Sequence, residues 1–210
     1  MRFRTVRSVL IAFILLVAAG PVFAAAKEFD FKDPKGVNTI AFTLDSLLEP
    51  FSGVASGISG KVSFDPANPK ATTGKITVTA STLHLVNKGM TETLHGADWL
   101  DVKKNPNIEF TIKKVTDAKP GKEEGVHDLT VVGDMNCKGK TKEMTVPVTV
   151  THLPGKASER GGKNEGDLLV VRSTFSIKRA DHDIKPDMPG KVVAEEIQLR
   201  VSIVGIGPKS

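Results

Sequence analysis

The sequence predicts an all-β protein, an antiparallel barrel of about eight strands with one short helix capping a mouth. Three observations carry that expectation. Beyond residue 35, apolar residues recur at every second position in segment after segment, the period of strands with one buried face. Short turn-forming stretches separate these segments, and no long helices are available for the crossovers of a parallel sheet. Only Gly89 to Phe110 breaks the rhythm. There Met90, Leu94 and Ala97 take helical spacing and Gly96 can stop the helix.

The 210 residues suit one domain or a small pair. Residues 1–26 read as a secretory signal peptide: Arg2, Arg4 and Arg7 precede an uncharged apolar run from Val9 to Ala19, followed by Pro21 and the small residues Ala24, Ala25 and Ala26. That run is shorter than the ~20 residues of a spanning helix. No cysteine follows it for lipid attachment, so residues 27–210 form the barrel domain and no stable membrane span remains after processing. Three of the 29 basic residues leave with the signal, so 26 face 24 acids, a net charge of +2. A mixed surface of that kind argues against a nucleic-acid footprint. The lack of tyrosine and the single tryptophan also remove the stacking platform of a single-strand binder. Cys137 is the sole cysteine, so no internal disulfide forms even though export would permit one. A reactive thiol or a covalent homodimer stays open.

In chain order, Phe29 and Phe31 alternate with Asp30 and Lys32 in a short first strand. Ile40, Phe42 and Leu44 share one face of the next, and Leu48 to Gly60 is a weak pattern rich in Gly and Ser that suits a bulge. Lys61 to Phe64 ends at the turn Asp65-Pro66-Ala67-Asn68-Pro69, and Lys75 to Ser81 alternates again. After the helix, Asn105-Pro106 turns into Ile108 to Val115, with a polar turn expected over Thr116 to Gly125. Val126 to Cys137 and Thr141 to Thr151 make a hairpin about Lys138-Gly139-Lys140. Pro147 is awkward inside the second arm and predicts a sheet edge or a locally open ladder. Leu168 to Lys178 is a strand, broken at Arg179 to Asp187. In the last, Ile197, Leu199, Val201 and Ile203 alternate with Glu196, Gln198, Arg200 and Ser202.

An eight-stranded barrel is just wide enough to be filled by side chains or to hold one small ligand. Inward candidates such as Val62, Ile76, Val78, Ala80, Val148, Val150 and Val201 are small or medium, and only seven phenylalanines remain after the signal. A bore for something apolar follows, with a solid aliphatic core as the alternative. Enzyme signals are weak. His84, His95, His127, His152 and His182 form neither His-x-His nor His-x-x-x-His pairs, and no nucleophile elbow or phosphate loop occurs. Asp181-His182-Asp183 is the most suggestive cluster, and its simpler reading is a solvated turn.

The order of motifs from about Asn38 to Ile206 resembles the YceI-like family of exported lipid-binding and polyisoprenoid-binding proteins. The resemblance runs through Ile40-Ala41-Phe42, Phe51-Ser52-Gly53, Leu94 to Val102, Pro106 to Phe110, Asp128 to Lys142, Phe175 to Asp181 and the closing strand from Val193 to Ile203. It implies a lipocalin-like barrel in the periplasm or secreted, with an isoprenoid or other lipid-like ligand in the bore and no catalysis, while the residues themselves point to no cofactor and no metal. The chain departs from the family pattern at Met90-Thr91-Glu92-Thr93-Leu94, where an Arg-Asp-x-His-Leu run is frequent, and at His182 and Asp183.

Alternation assigns Phe42, Leu44, Phe64, Ile76, Val78, Phe110, Ile112, Leu199 and Val201 to the bore, with Leu94 and Trp99 near its entrance. Two other readings remain. One is an interaction or stress-response protein with a filled barrel, meeting its partner near Pro147. The other is a hydrolase-type enzyme using Arg179, Asp181 and His182.

Overall fold

The structure, a computed structural model, describes residues 26–33, 35–48, 50–161 and 165–209. The expected signal peptide lies outside these residues except for Ala26. Eleven strands form one antiparallel sheet: β1 (Lys27–Asp30), β2 (Thr39–Ser46), β3 (Phe51–Ala55), β4 (Ile58–Phe64), β5 (Thr73–Thr79), β6 (His84–Leu85), β7 (Asn107–Pro120), β8 (Val126–Cys137), β9 (Lys140–Leu153), β10 (Asp167–Lys178) and β11 (Val193–Gly207). The one α-helix among the described residues is α1 (Lys88–His95).

The sheet closes on itself. The ring runs β1, β4, β5, β7, β8, β9, β10, β11, and Asp30 opposite Ile206 joins its ends, which is the expected eight-stranded barrel. One position in the ring is shared. Between β11 and the consecutive segments β3 and β4, β2 fills one end, with Leu199 opposite Phe42 and Phe42 opposite Gly53. β1 fills the other, with Phe29 opposite Val62. The weak pattern over Leu48 to Gly60 therefore resolves into parts of two strands that turn from one neighbour to the other. Gly53 is needed there because the Phe42 ring lies where its Cβ would be.

Long hairpins build the rest of the wall. Lys138 and Gly139 both have positive φ, 49° and 71°, the conformation of a two-residue hairpin loop whose twist matches its strands. The polar turn expected from Thr116 shrinks to residues after Pro120. Register shifts between Ile112 and Lys114 and between Val115 and Asp117 are bulges that reset the alternation and hid this part of β7. Pro147 is not on an edge, since β9 lies between β8 and β10. The ladder to β10 nevertheless stops at Arg172 opposite Thr149.

One end of the barrel is plugged. Phe29, Phe31 and Phe64 are fully buried there with Leu169 and Ile203. Asn38, itself buried, ties the β1 to β2 crossover to β11: its Nδ2 donates to the carbonyls of Phe31 (3.2 Å) and Val204 (3.1 Å). Its Oδ1 accepts from the Val204 N–H (2.9 Å) and Arg160 Nη2 (2.8 Å). Asp167 is buried and accepts from Lys27 Nζ at 2.8 Å, His152 Nε2 at 3.1 Å and the Gly155 N–H at 2.9 Å. Burial alone would raise the Asp33 carboxyl, but the Asn38 N–H and the Arg160 guanidinium outweigh it and hold its pKa below the usual carboxylate value.

Two outcomes follow for this end. Phe64→Ala should cost about 3 to 5 kcal/mol in urea unfolding, the range for emptying a buried aromatic site; a cost under about 1 kcal/mol would show that the plug is loosely packed. His127, whose ring meets Phe64 edge-on at 5.8 Å, has its pKa lowered by desolvation first and by neighbouring His152 second. A lowered histidine pKa means that the unfolded chain binds the proton better, so stability is present above pH 6.5 and declines as the pH falls through the folded-state value. His127→Gln should flatten that decline between pH 7.5 and pH 5; an unchanged slope would place the acid sensitivity elsewhere.

Candidate functional site

Inside the ring, between the phenylalanine plug and α1, lies a cavity of about 330 Å³, within the range of small-molecule sites. Its wall follows from alternation, since in every strand the residues two apart share the inner face. Phe42 and Leu44 of β2, Ile76 and Val78 of β5, Phe110 and Ile112 of β7, and Leu199 and Val201 of β11 all line it, together with Leu94 of α1 and Trp99 in the segment that follows. Phe64 does not. It is inward-facing as expected, but its place is the plug, one inward step beyond the cavity-lining Val62 on β4.

The lining extends beyond the residues that alternation assigned to it. Leu129 and Val131 of β8 and Phe175 and Ile177 of β10 alternate in the sequence as clearly as the others. Phe31 and Leu169 form the floor. Ile184 is buried at the opposite end with Leu100 and Cys137, and no periodicity marks it, because it sits in the loop between β10 and β11.

The lining is chemically quiet. The Thr72 hydroxyl donates to the Pro69 carbonyl at 2.6 Å, that of Thr93 to the Gly89 carbonyl at 3.1 Å and that of Ser173 to the Pro147 carbonyl. The Glu109 carboxylate accepts from Lys75 Nζ at 2.9 Å. No lysine, arginine, histidine or aspartate lines the cavity among the described residues. Cys137 does, and burial pushes its thiol up to about 12 against the weaker opposing pull of Lys138. With its pKa raised in this way and its side chain 2% exposed, the thiol is disfavoured as a nucleophile and as a disulfide partner.

The roof is held by polar ties. Asn87 caps α1, its Oδ1 accepting from the Met90 N–H at 3.1 Å. Thr91 Oγ1 accepts from the Leu85 N–H at 3.0 Å, and His95 Nε2 donates to the Leu83 carbonyl at 2.7 Å. Together these cover the outer edge of β6. Lys138 Nζ donates to the carbonyls of Asp98 (3.0 Å) and Asp183 (2.6 Å), joining the roof segments to the β8–β9 hairpin.

The Asp181-His182-Asp183 turn is solvated at Asp183 and in part at Asp181, but His182 and the preceding Arg179 are buried. Arg179 is fully buried, and its guanidinium donates to five carbonyls, those of Ala194, Ile184, Lys185, Met188 and Val193, and to the Glu195 carboxylate. His182 is 1% exposed and donates through Nδ1 to the Lys140 carbonyl at 3.1 Å; Asp181 pairs with Lys142 at 3.3 Å. The three side chains face different partners and none lines the cavity. Their work is to fold residues 183–193 back over the barrel so that Ile184 becomes part of its lining. Among the described residues no group of three or more His, Cys, Asp or Glu could hold a metal ion, and no helix is long and apolar enough to cross a membrane.

Residues 33–205 match the family model described as YceI-like domain. Protein YceI of Escherichia coli O17:K52:H18 is 28% identical over 199 residues, spanning 93% of this chain and 94% of that one. Among solved structures, BcnA of Burkholderia cenocepacia superposes with a TM-score of 0.60 at 23% identity, covering 80% of this chain and 95% of that one. A polyisoprenoid binding domain from Saccharophagus degradans superposes with a TM-score of 0.59 at 8% identity, covering 88% and 100%. At these identities the structural likenesses show a shared fold.

Arg179→Ala should leave five carbonyls, two of them buried, without their donor and cost about 3 kcal/mol or more, with protease cleavage appearing between residues 183 and 193. Arg179→Lys should recover little of this, because an ammonium lacks the planar fork. Wild-type stability in either variant would show that the loop holds itself.

Proposed function

This chain belongs to the YceI-like domain family, and from that membership together with its apolar bore we propose that it is an exported, non-catalytic binding protein that holds an apolar or amphiphilic chain, a polyisoprenoid or fatty-acid-like lipid, inside the barrel. The single observation that carries this reading is the cavity of about 330 Å³ with a lining that is almost wholly hydrocarbon. Burying ten methylene-sized groups there would contribute ~8 kcal/mol, above the ~4 kcal/mol lower bound for the cost of association. The plug of Phe29, Phe31 and Phe64 closes one end, and among the described residues no cationic side chain lines the cavity to pair with a charged head. The polyisoprenoid-binding description of the Saccharophagus degradans domain supports an isoprenoid chain. The signal-like residues 1–26 support a periplasmic address.

Native mass spectrometry of the protein purified from its own cells tests this. It should arrive with an apolar molecule that organic extraction removes. Adding back the C20 alcohol geranylgeraniol at a hundred times its dissociation constant should raise stability by about 2.7 kcal/mol, and Val78→Trp, which fills the bore, should abolish the gain. A protein that carries nothing apolar and gains no stability from the alcohol would refute the binding reading.

A further inference from the structure

Both ends of the bore are held by polar ties, and one seam of the side wall is paired over only part of its length. The plug is closed by three buried phenylalanines and the hydrogen bonds of Asn38 and Asp167. The roof is tied through Thr91, His95, Lys138 and the many bonds of Arg179. Between β9 and β10, by contrast, registered pairing covers only Leu168 to Arg172 opposite Leu153 to Thr149, although β10 continues to Lys178 and β9 begins at Lys140.

Pro147 is the cause. Its carbonyl accepts a hydrogen bond from Ser173 Oγ and therefore faces β10. In a strand the N–H and C=O of one residue point to the same neighbour, so the donor that proline lacks is missing from this ladder. From there to the far end of the seam the ties are few: Ser173 to Pro147, then Lys142 to Asp181 and His182 to the Lys140 carbonyl. The seam also backs directly onto the bore. Val146 and Val148 on one bank, and Ser173, Phe175 and Ile177 on the other, are all lining residues.

We propose that this seam is a lateral portal, where β9 and β10 part so that an apolar chain slides sideways into and out of the bore while roof and plug keep their ties. The proposal rests on the binding reading above and adds to it the route and the residues that gate it. Parting the strands between Arg172 and the Lys142 and His182 ties breaks one hydroxyl–carbonyl bond and no registered ladder pair, and it exposes the banks only along a narrow slit. Lifting the roof requires the ties of α1 and the connections to Lys138 to be broken together.

Stopped-flow fluorescence with N-phenyl-1-naphthylamine, an uncharged apolar probe, tests the route on solvent-extracted protein. Pro147→Val restores a donor that faces Thr174 if the register of Arg172 and Thr149 is continued. Entry and exit should both slow by roughly tenfold with the dissociation constant unchanged, because only the barrier has moved. Ser173→Ala, which removes the tie, should speed both. Thr145→Cys with Ser176→Cys in a Cys137→Ala background should slow exchange when oxidised and recover on reduction. Probe that binds with rates unchanged in Pro147→Val and Ser173→Ala overturns the portal and leaves the binding reading intact, as do rates that respond only to Thr91→Val in the roof. A wild-type protein that takes up no probe refutes the binding reading and the portal together.

Discussion

An apolar inner face repeated around eight antiparallel strands creates a geometric demand: either the side chains meet at the axis or something else fills it. Here the inward residues at mid-height are Val, Ile and Leu with a few Phe, too small in sum to close the centre, and about 330 Å³ stays open. Three phenylalanines meet only at one end, where β1 takes over from β2 against β11 and the barrel has a neighbour for every edge. Everything else in the molecule is placed by that demand. The larger polar networks sit at the ends, and the few polar side chains of the lining, such as Ser173 and Glu109, are each committed to a partner.

The two ends solve the same problem with different chemistry. At the plug, Asn38 and Asp167 satisfy backbone and cationic groups while aromatic rings exclude water. At the roof, one guanidinium organises a loop that has no regular structure. A buried arginine of this kind is weak evidence for stability in itself. Its effect is to make one loop geometry far better satisfied than any other, which is what a fixed lining residue such as Ile184 requires. The enzyme alternative built on Arg179, Asp181 and His182 has no geometric support, because each of these side chains is committed to a separate structural partner.

Much of this was legible in the sequence because alternation reports a residue's face directly. Ile76 and Val78, or Leu199 and Val201, could be placed in the bore without coordinates. Alternation does not report depth along the axis. Phe64 has the same parity as Val62, yet two residues of strand are ~6.6 Å, enough to move it from the cavity wall into the plug. Parity also fails where bulges reset it, as in β7 beyond Ile112, and where a loop folds back, as at Arg179 and Ile184. Pro147 was the converse case: a local rule about a missing donor pointed to a real break in the ladder, although the strand that holds it lies mid-wall.

The central claim is that this open centre is a place for a hydrocarbon chain. Nuclear Overhauser contacts between farnesol and the methyl-labelled protein measure it most directly. Contacts from the isoprenoid to Ile76, Val148 and Val201 inside the barrel, with none to the exposed Val37, are expected. Contacts confined to surface methyls, or none at saturating farnesol, would contradict it.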